Sequence, residues 1–576
     1  MRAVLALVLM TTPALAQEAA DAVAPEQATG LVRETPEPVT SDNWMVVAAN
    51  PLASEAGAKV LRAGGSAADA MVAVQVTLGL VEPQSSGLGG GAFLVWYDAE
   101  TGEITTLDGR ETAPMAATPT LFQKDGEPMD FFDAVVGGLS VGTPGTPMLL
   151  EEAHRRWGRA NWSSLFDEAI GLAEDGFSVS PRLAALVAED EEFLSVAPAT
   201  AEYFMPGGSA IAEGDTLTNA AYAETLRAIA ARGADAFYHG EVAEGIVATV
   251  RGAAQPGVLS LEDLEAYEVV ERPAVCAPYR GAEVCGMGPP SSGALTVGQI
   301  LALLEPYELS AMGPDSPDAW RLIGDASRLA FADRGRYMAD TDYVPVPRLL
   351  DPDYLADRAE LLDADESLPE VSPGMPPWDH AALDLGDDAS IELPSTSHIS
   401  IVDADGNALS MTTTIENGFG SRLLAPGGFL LNNELTDFSF STHDEGSPIA
   451  NRVEPGKRPR SSMSPTIVME DGTPVFVVGS PGGSRIIGYV AKTIVAHMDW
   501  GMDPQAAVAL PNLVNRFGTY DLEEGTAATD LQEPLEALGF EVNVRDLTSG
   551  LHAIAVRDGT LIGGADPRRE GLAIGE

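Results

Sequence analysis

Apolar and polar positions fall into blocks along the chain, and the first block predicts a short buried strand at 43–50, Asn-Trp-Met-Val-Val-Ala-Ala-Asn. Two blocks at helical spacing follow, 51–65 and 66–83: Pro51 sits near a helix start, Gly64 and Gly65 stop that helix, and Ser66 caps the next. Both are rich in small residues, which lets helices pack closely on a sheet. Residues 85–97 read as a glycine-rich turn feeding a strand. From about 145 to 360 helical periodicity dominates, for instance over 145–158 and 294–307. Residues 362–395 break that pattern. They are acidic and proline-rich, and an unstructured connection of this length inside a domain is usually functional or mobile.

Strict alternation takes over at 397–415, where two runs flank Asp-Ala-Asp-Gly-Asn, a hairpin signal. A hairpin folded about Asp405 pairs residues whose numbers sum to about 810, which sets Thr396 beside Thr414. Residues 473–483 read as a strand entering a glycine-rich turn, and 484–501 as the helix after it. Residues 275–285 alternate on both sides of Tyr-Arg-Gly, a second hairpin. It brings Cys276 and Cys285, the two cysteines of the chain, near the ends of facing strands. A structural disulfide and two buried thiols are both compatible with that spacing.

Composition changes the picture at three points. There are 33 basic and 86 acidic residues, a net charge of −53, so no basic surface for nucleic acid is expected. Only Lys59, Lys124, Lys457 and Lys492 supply lysine; a high-salt habitat and an arginine-favouring GC-rich genome account for this equally well. Residues 1–16 carry Arg2, an apolar run and Ala-Leu-Ala before Gln17, the pattern of a cleavable secretory signal. The run is too short for a permanent anchor. A periplasmic or secreted protein without a membrane anchor is expected, with residues 17–42 as a disordered acidic tail.

The candidate chemistry is first an exclusion. The seven histidines are scattered with no metal-type spacing, no Gly-x-Ser-x-Gly elbow occurs, and Gly-Leu-Gly-Gly-Gly-Ala at 87–92 precedes its strand, the wrong order for a dinucleotide site. No metal and no cofactor is expected. What remains is the row Ser395, Thr396, Ser397 before His398. A hydroxyl that opens a chain can use its own α-amino group as base, because that amine titrates at roughly 7.7–8.0. The arrangement requires a nucleophile at the head of a strand with a segment upstream that can leave, and residues 394–400 meet both conditions. By itself a hydroxyl before a strand is more often an ordinary loop.

Thr396-Ser397-His398, Thr412–Glu416, 430–439 (LLNNELTDFS), 457–466 (KRPRSSMSPT) and 479–485 (GSPGGSR) resemble the γ-glutamyltranspeptidases, members of the N-terminal-nucleophile hydrolases. Upstream, 86–93, 107–114 (LDGRETAP), 141–147 and 331–340 fit the same family. The resemblance implies an αββα sandwich, an α/β architecture built jointly by two subunits from one precursor. It puts the cut between Ser395 and Thr396, giving a large subunit, 43–395, whose 362–395 is the processing loop, and a small catalytic subunit, 396–576. The two would stay together as a heterodimer.

By the same resemblance Thr396 is the nucleophile and Thr414 hydrogen-bonds its oxygen. Ser397 replaces a Thr. Gly482 and Gly483 donate backbone N–H groups to the oxyanion, Arg110 with Ser461 and Ser462 holds the α-carboxylate of a γ-glutamyl head, and Glu416, Glu434 and Asp437 surround its ammonium. Glutathione and other γ-glutamyl compounds are the implied donors, with water or amino-acid and peptide amines as acceptors. Two alternatives stand beside this: a cephalosporin or glutaryl acylase of the same family, and an unprocessed amino-acid-binding protein. Some members carry a lid with a Tyr between the Asp437 and Lys457 positions. Residues 438–456 have none, so either Phe440 or His443 substitutes or the site is more open.

Overall fold

The computed structural model describes residues 23–26 and 35–576. Fourteen strands make two seven-stranded sheets. In chain order these are β1 (Val39–Ser41), β2 (Met45–Ala48), β3 (Gly91–Tyr97), β4 (Ile104–Gly109), β5 (Val270–Arg272), β6 (Val275–Tyr279), β7 (Ala282–Gly286), β8 (Ser397–Val402), β9 (Ala408–Thr414), β10 (Thr466–Glu470), β11 (Thr473–Gly479), β12 (His552–Arg557), β13 (Thr560–Ala565) and β14 (Leu572–Gly575). One sheet runs β1-β13-β12-β11-β10-β7-β6 and the other β14-β2-β8-β9-β3-β4-β5. Every pairing in both is antiparallel.

The sheets stack face to face, and the period-2 alternation of their strands makes the layers. Met45, Val47, Val95, Val402, Ile467, Val477 and Ile554 fill the space between them. The alternate residues point outward: Val46, Ala48, Leu94, Ile399 and Leu409 meet a helical layer that includes α1 (Pro51–Arg62) and α2 (Ala67–Val81). On the far side Val284, Val468, Phe476 and Val478 meet α3 (Gly293–Leu304), α4 (Pro317–Tyr337) and α5 (Ile486–Met498). This is the expected αββα sandwich. Strands covered on both faces read as continuous apolar runs, which is why 45–48 shows no polar position.

Local signals set the boundaries. Asn50 accepts from the Leu52 N–H at 3.0 Å to start α1, and Ser66 forms a capping box with Asp69 to start α2. The hairpin β8–β9 folds where the turn residues placed it, and all six pairs from Ser397↔Thr413 to Val402↔Ala408 sum to 810. Cys276 faces Cys285 across β6–β7, and the two are disulfide-bonded.

The expected disordered tail requires correction. Val39–Ser41 pairs with β13 as an edge strand, and Glu26 is buried between two arginines. Acidic composition suggested solvation, but the counter-charges wait elsewhere in the fold. Residues 17–22 and 27–34, and the signal peptide expected at 1–16, lie outside the described residues. Among the described residues no helix is long and apolar enough to cross a membrane, and no cluster of His, Cys, Asp or Glu suits a metal ion.

Candidate active site

Thr396 immediately precedes β8, a central strand of its sheet, and its neighbour strand β9 ends at Thr414. The two hydroxyl oxygens lie 3.1 Å apart. The Glu416 N–H already donates to Thr414 Oγ1 at 2.9 Å, which leaves the Thr414 proton free for Thr396. Thr396 holds φ +90° in the continuous chain, a left-handed conformation costly for a β-branched residue, and strain of this kind collects at functional sites. The Ser395 carbonyl, one side of the expected cut, accepts the Gly482 N–H at 3.2 Å. Gly482 and Gly483 have φ +136° and +58°, and a Cβ at Gly483 would stand 2.6 Å from the Leu393 carbonyl oxygen. Glycine is therefore required for this close approach.

One cleft is lined by Thr396, Thr414, Arg110, Glu416, Glu434, Asp437, Ser461, Ser462 and Gly483, which are nine of the ten expected catalytic and binding residues. Gly482 does not line it; its N–H is taken by the Ser395 carbonyl. Arg110 is buried and pairs with Glu434 on one nitrogen and with Asp437 at 2.5 Å on the other. Its Nε donates to the Pro459 carbonyl at 3.1 Å. The cation and the carboxylates expected to hold opposite ends of a substrate head thus hold each other. One oxygen each of Glu434 and Asp437 has no hydrogen-bond partner among the described residues. Burial pushes Glu416, Glu434 and Asp437 well above the usual carboxylate range. Ser461 Oγ accepts the Met463 N–H at 3.1 Å, and Ser397 Oγ is buried without a hydrogen-bond partner among the described residues.

The sequence did not point to four further residues. Glu111, beside Arg110 in the chain, is buried, and burial pushes it up to about 8 against the pull of Arg110. Glu392 of the uncut segment enters the cleft, accepting from Ser462 Oγ at 2.5 Å and pairing with Arg334. Burial opposes its charge, but Arg334 and then Arg460 outweigh burial and keep its pKa low. The next residue, Leu393, donates its N–H to Glu416 at 2.9 Å. This segment fills the cleft to about 20 Å³ of free space, room for about one water. Arg334 sits within a family motif with nothing in the sequence to single it out, and Arg569, which donates to the Thr396 carbonyl at 2.9 Å, carries no local signal.

His398 is not placed to serve Thr396. Its ring is buried between the sheets, within 2.9 Å of Thr412 Oγ1 and 3.0 Å of Ser400 Oγ, and burial holds its pKa well below the usual value. In the 438–456 segment Phe440 stacks on Phe122 at 4.6 Å and His443 is exposed; neither lines the cleft.

Two facing antiparallel sheets between helical layers, with a hydroxyl residue at the head of a central strand, are the fold of the N-terminal-nucleophile hydrolases. The structure superposes on a solved cephalosporin acylase from Bacillus halodurans with TM-score 0.83 and 26% identity, covering 94% of this chain and 98% of that one. The family model described as gamma-glutamyltranspeptidase matches residues 53–576. A glutathione hydrolase proenzyme of Bacillus subtilis (strain 168) is 38% identical over 545 residues, 92% of this chain and 91% of its own. One of Escherichia coli (strain K12) is 36% identical over 558 residues, 95% and 94% of the two chains. The chain belongs to the γ-glutamyltranspeptidase family and is an enzyme of the hydrolase and transferase type found there.

Proposed function

We propose that the chain is an exported γ-glutamyltranspeptidase and glutathione hydrolase that first cuts itself between Ser395 and Thr396. The observation that carries this is the state of that one peptide bond. Thr396 is strained, its hydroxyl touches Thr414, and the Ser395 carbonyl takes the Gly482 N–H. In the cut, Thr396 Oγ adds to the Ser395 carbonyl, the C–N bond breaks as the amine takes a proton, and water hydrolyses the resulting ester. The 362–395 segment then ends in a carboxylate at Ser395, and Thr396 carries a free α-amino group.

That amine is the base for turnover. It takes the Thr396 hydroxyl proton as Oγ attacks a γ-glutamyl carbonyl, and returns it to the leaving amine. The oxyanion is met by the N–H groups of Gly482 and Gly483. Water or an amino-acid or peptide amine resolves the γ-glutamyl ester. Before a substrate fits, the Glu392–Leu393 pair has to leave, since its carboxylate and N–H use Ser462 and Glu416, groups assigned to the substrate head. The head's carboxylate then turns Arg110 away from its internal partners, and its ammonium takes the unpartnered oxygens of Glu434 and Asp437.

A glutaryl or cephalosporin acylase is the second reading, favoured by the acylase neighbour. Glu416, Glu434 and Asp437, the cleft carboxylates other than Glu392 of the leaving segment, favour a head bearing an ammonium. A denaturing gel of wild type and Thr396→Ala, with γ-glutamyl and glutaryl anilides as substrates, tests both. Two fragments and γ-glutamyl turnover from wild type alone are expected. An uncut, inactive wild type rejects the mechanism, a cut Thr396→Ala chain rejects the nucleophile, and a strong glutaryl preference selects the acylase.

A further inference from the structure

Arg182 and Arg569 lie together at the back of the nucleophile, each about 1% exposed. Two buried cations in contact are unfavourable unless a carboxylate joins them. Glu26, from the far N-terminal segment, does so. It accepts from Arg182 Nε at 2.8 Å, from Arg182 Nη2 at 2.9 Å and from Arg569 Nη2 at 2.6 Å. Burial disfavours its charge, yet Arg182 and then Arg569 keep its pKa below the usual value.

The other acids nearby do not replace it. Glu82 reaches Arg182 at 3.2 Å, but burial raises it to about 7, and Glu570 spends one oxygen on the Arg182 backbone N–H. Among the described residues Arg569 has two hydrogen-bond acceptors, Glu26 and the carbonyl of Thr396 at 2.9 Å. The same short segment is tied at its other end, where Arg485, two residues past Gly483, donates to the Val23 carbonyl at 2.9 Å. Pro25 and Glu26 also wall a cavity shared with Pro394 and Ser395.

We propose that Val23–Glu26 is an intramolecular strap that docks by its carboxylate on the Arg182–Arg569 pair and positions the nucleophile. Glu26 fixes Arg569, and Arg569 fixes the Thr396 carbonyl. The strained Thr396 is thereby held in place while the Ser395 carbonyl before it takes the Gly482 N–H, and after the cut the new N-terminal residue is held in register. Glu26 is a positioning residue: it touches neither the cleft nor a substrate. The inference rests on the self-cleavage reading above.

The test follows precursor conversion over time in cell-free synthesis of the full chain, and kcat and KM of the cut enzyme on a γ-glutamyl anilide. Glu26→Gln is expected to slow conversion and lower kcat by about tenfold each, the scale of one charge-assisted hydrogen bond, with KM unchanged. Glu26→Asp, which keeps the charge, is expected to recover most of both. Arg569→Lys, which cannot reach both partners, is expected to repeat the Gln result. An uncut wild type rejects self-cleavage itself. A wild type that cuts beside a Glu26→Gln chain of equal conversion and kcat overturns the strap alone. So does a loss confined to KM, or an Asp variant no faster than the Gln one.

Discussion

Thr396 Oγ1 and Thr414 Oγ1 meet at 3.1 Å across the mouth of a hairpin whose register brings Ser397 opposite Thr413. Thr414 Oγ1 accepts the Glu416 N–H from behind, which leaves its hydroxyl available to donate to the nucleophile. Thr414→Val removes that donor with little change of shape. Self-cleavage and turnover are expected to slow by about 10- to 100-fold, while Thr414→Ser keeps most of both. Conversion time courses and kcat read this directly.

Gly482 and Gly483 are expected to separate the two reactions. A Cβ at Gly483 meets the Leu393 backbone, which belongs to the segment proposed to leave after the cut. A Cβ at Gly482 meets the Tyr489 ring at 2.8 Å, which stays, and the backbone there holds φ +136°. Gly483→Ala therefore slows conversion more than it slows the enzyme once cut, whereas Gly482→Ala depresses both. The ratio of conversion rate to kcat in the two variants checks this.

Arg110→Lys replaces a planar fork by a point charge that cannot span Glu434 and Asp437. KM for a γ-glutamyl anilide is expected to rise about tenfold or more, with a smaller change in kcat. Steady-state kinetics on the cut enzyme decide it; an unchanged KM removes Arg110 from the substrate head.

His552 supplies a pH dependence with a definite sign. Burial lowers it from 6.5 to about 4 in the fold. Between those values the unfolded chain binds the extra proton, so this contribution to stability is full above pH 6.5 and is lost as pH falls toward 4, about 3 kcal/mol in all. The expected result is that His552→Gln, compared with wild type by denaturant unfolding at several pH values, loses that part of the slope.

The hairpin, the caps and the facing of the two cysteines were legible because each is decided by residues within a few positions of one another. Asp-Ala-Asp-Gly-Asn set the register, Ser66 found Asp69 three residues on, and Cys276 found Cys285 across one turn. The members of the cleft were legible as family motifs. Their partners were not: Arg110 with Glu434, Arg334 with Glu392 and Arg569 with Glu26 join segments hundreds or tens of residues apart. No periodicity marks such a pair, and an acidic tail looks solvated until the fold brings arginines to it. For the same reason Glu111 was passed over beside Arg110, since its burial, which the sequence does not mark, is what raises its pKa.

The strand order has a consequence for the cut molecule. In one sheet β8 and β9 lie between β2 and β3, and in the other β10 to β13 lie between β7 and β1. Severing the chain at residue 396 therefore leaves two polypeptides plaited through the same pair of sheets, with central ladders of hydrogen bonds shared between them. They cannot trade partners with another molecule unless both sheets come apart. A mixture of two differently marked mature enzymes should keep its parental pairings indefinitely under native conditions, and hybrids should arise only by refolding from denaturant.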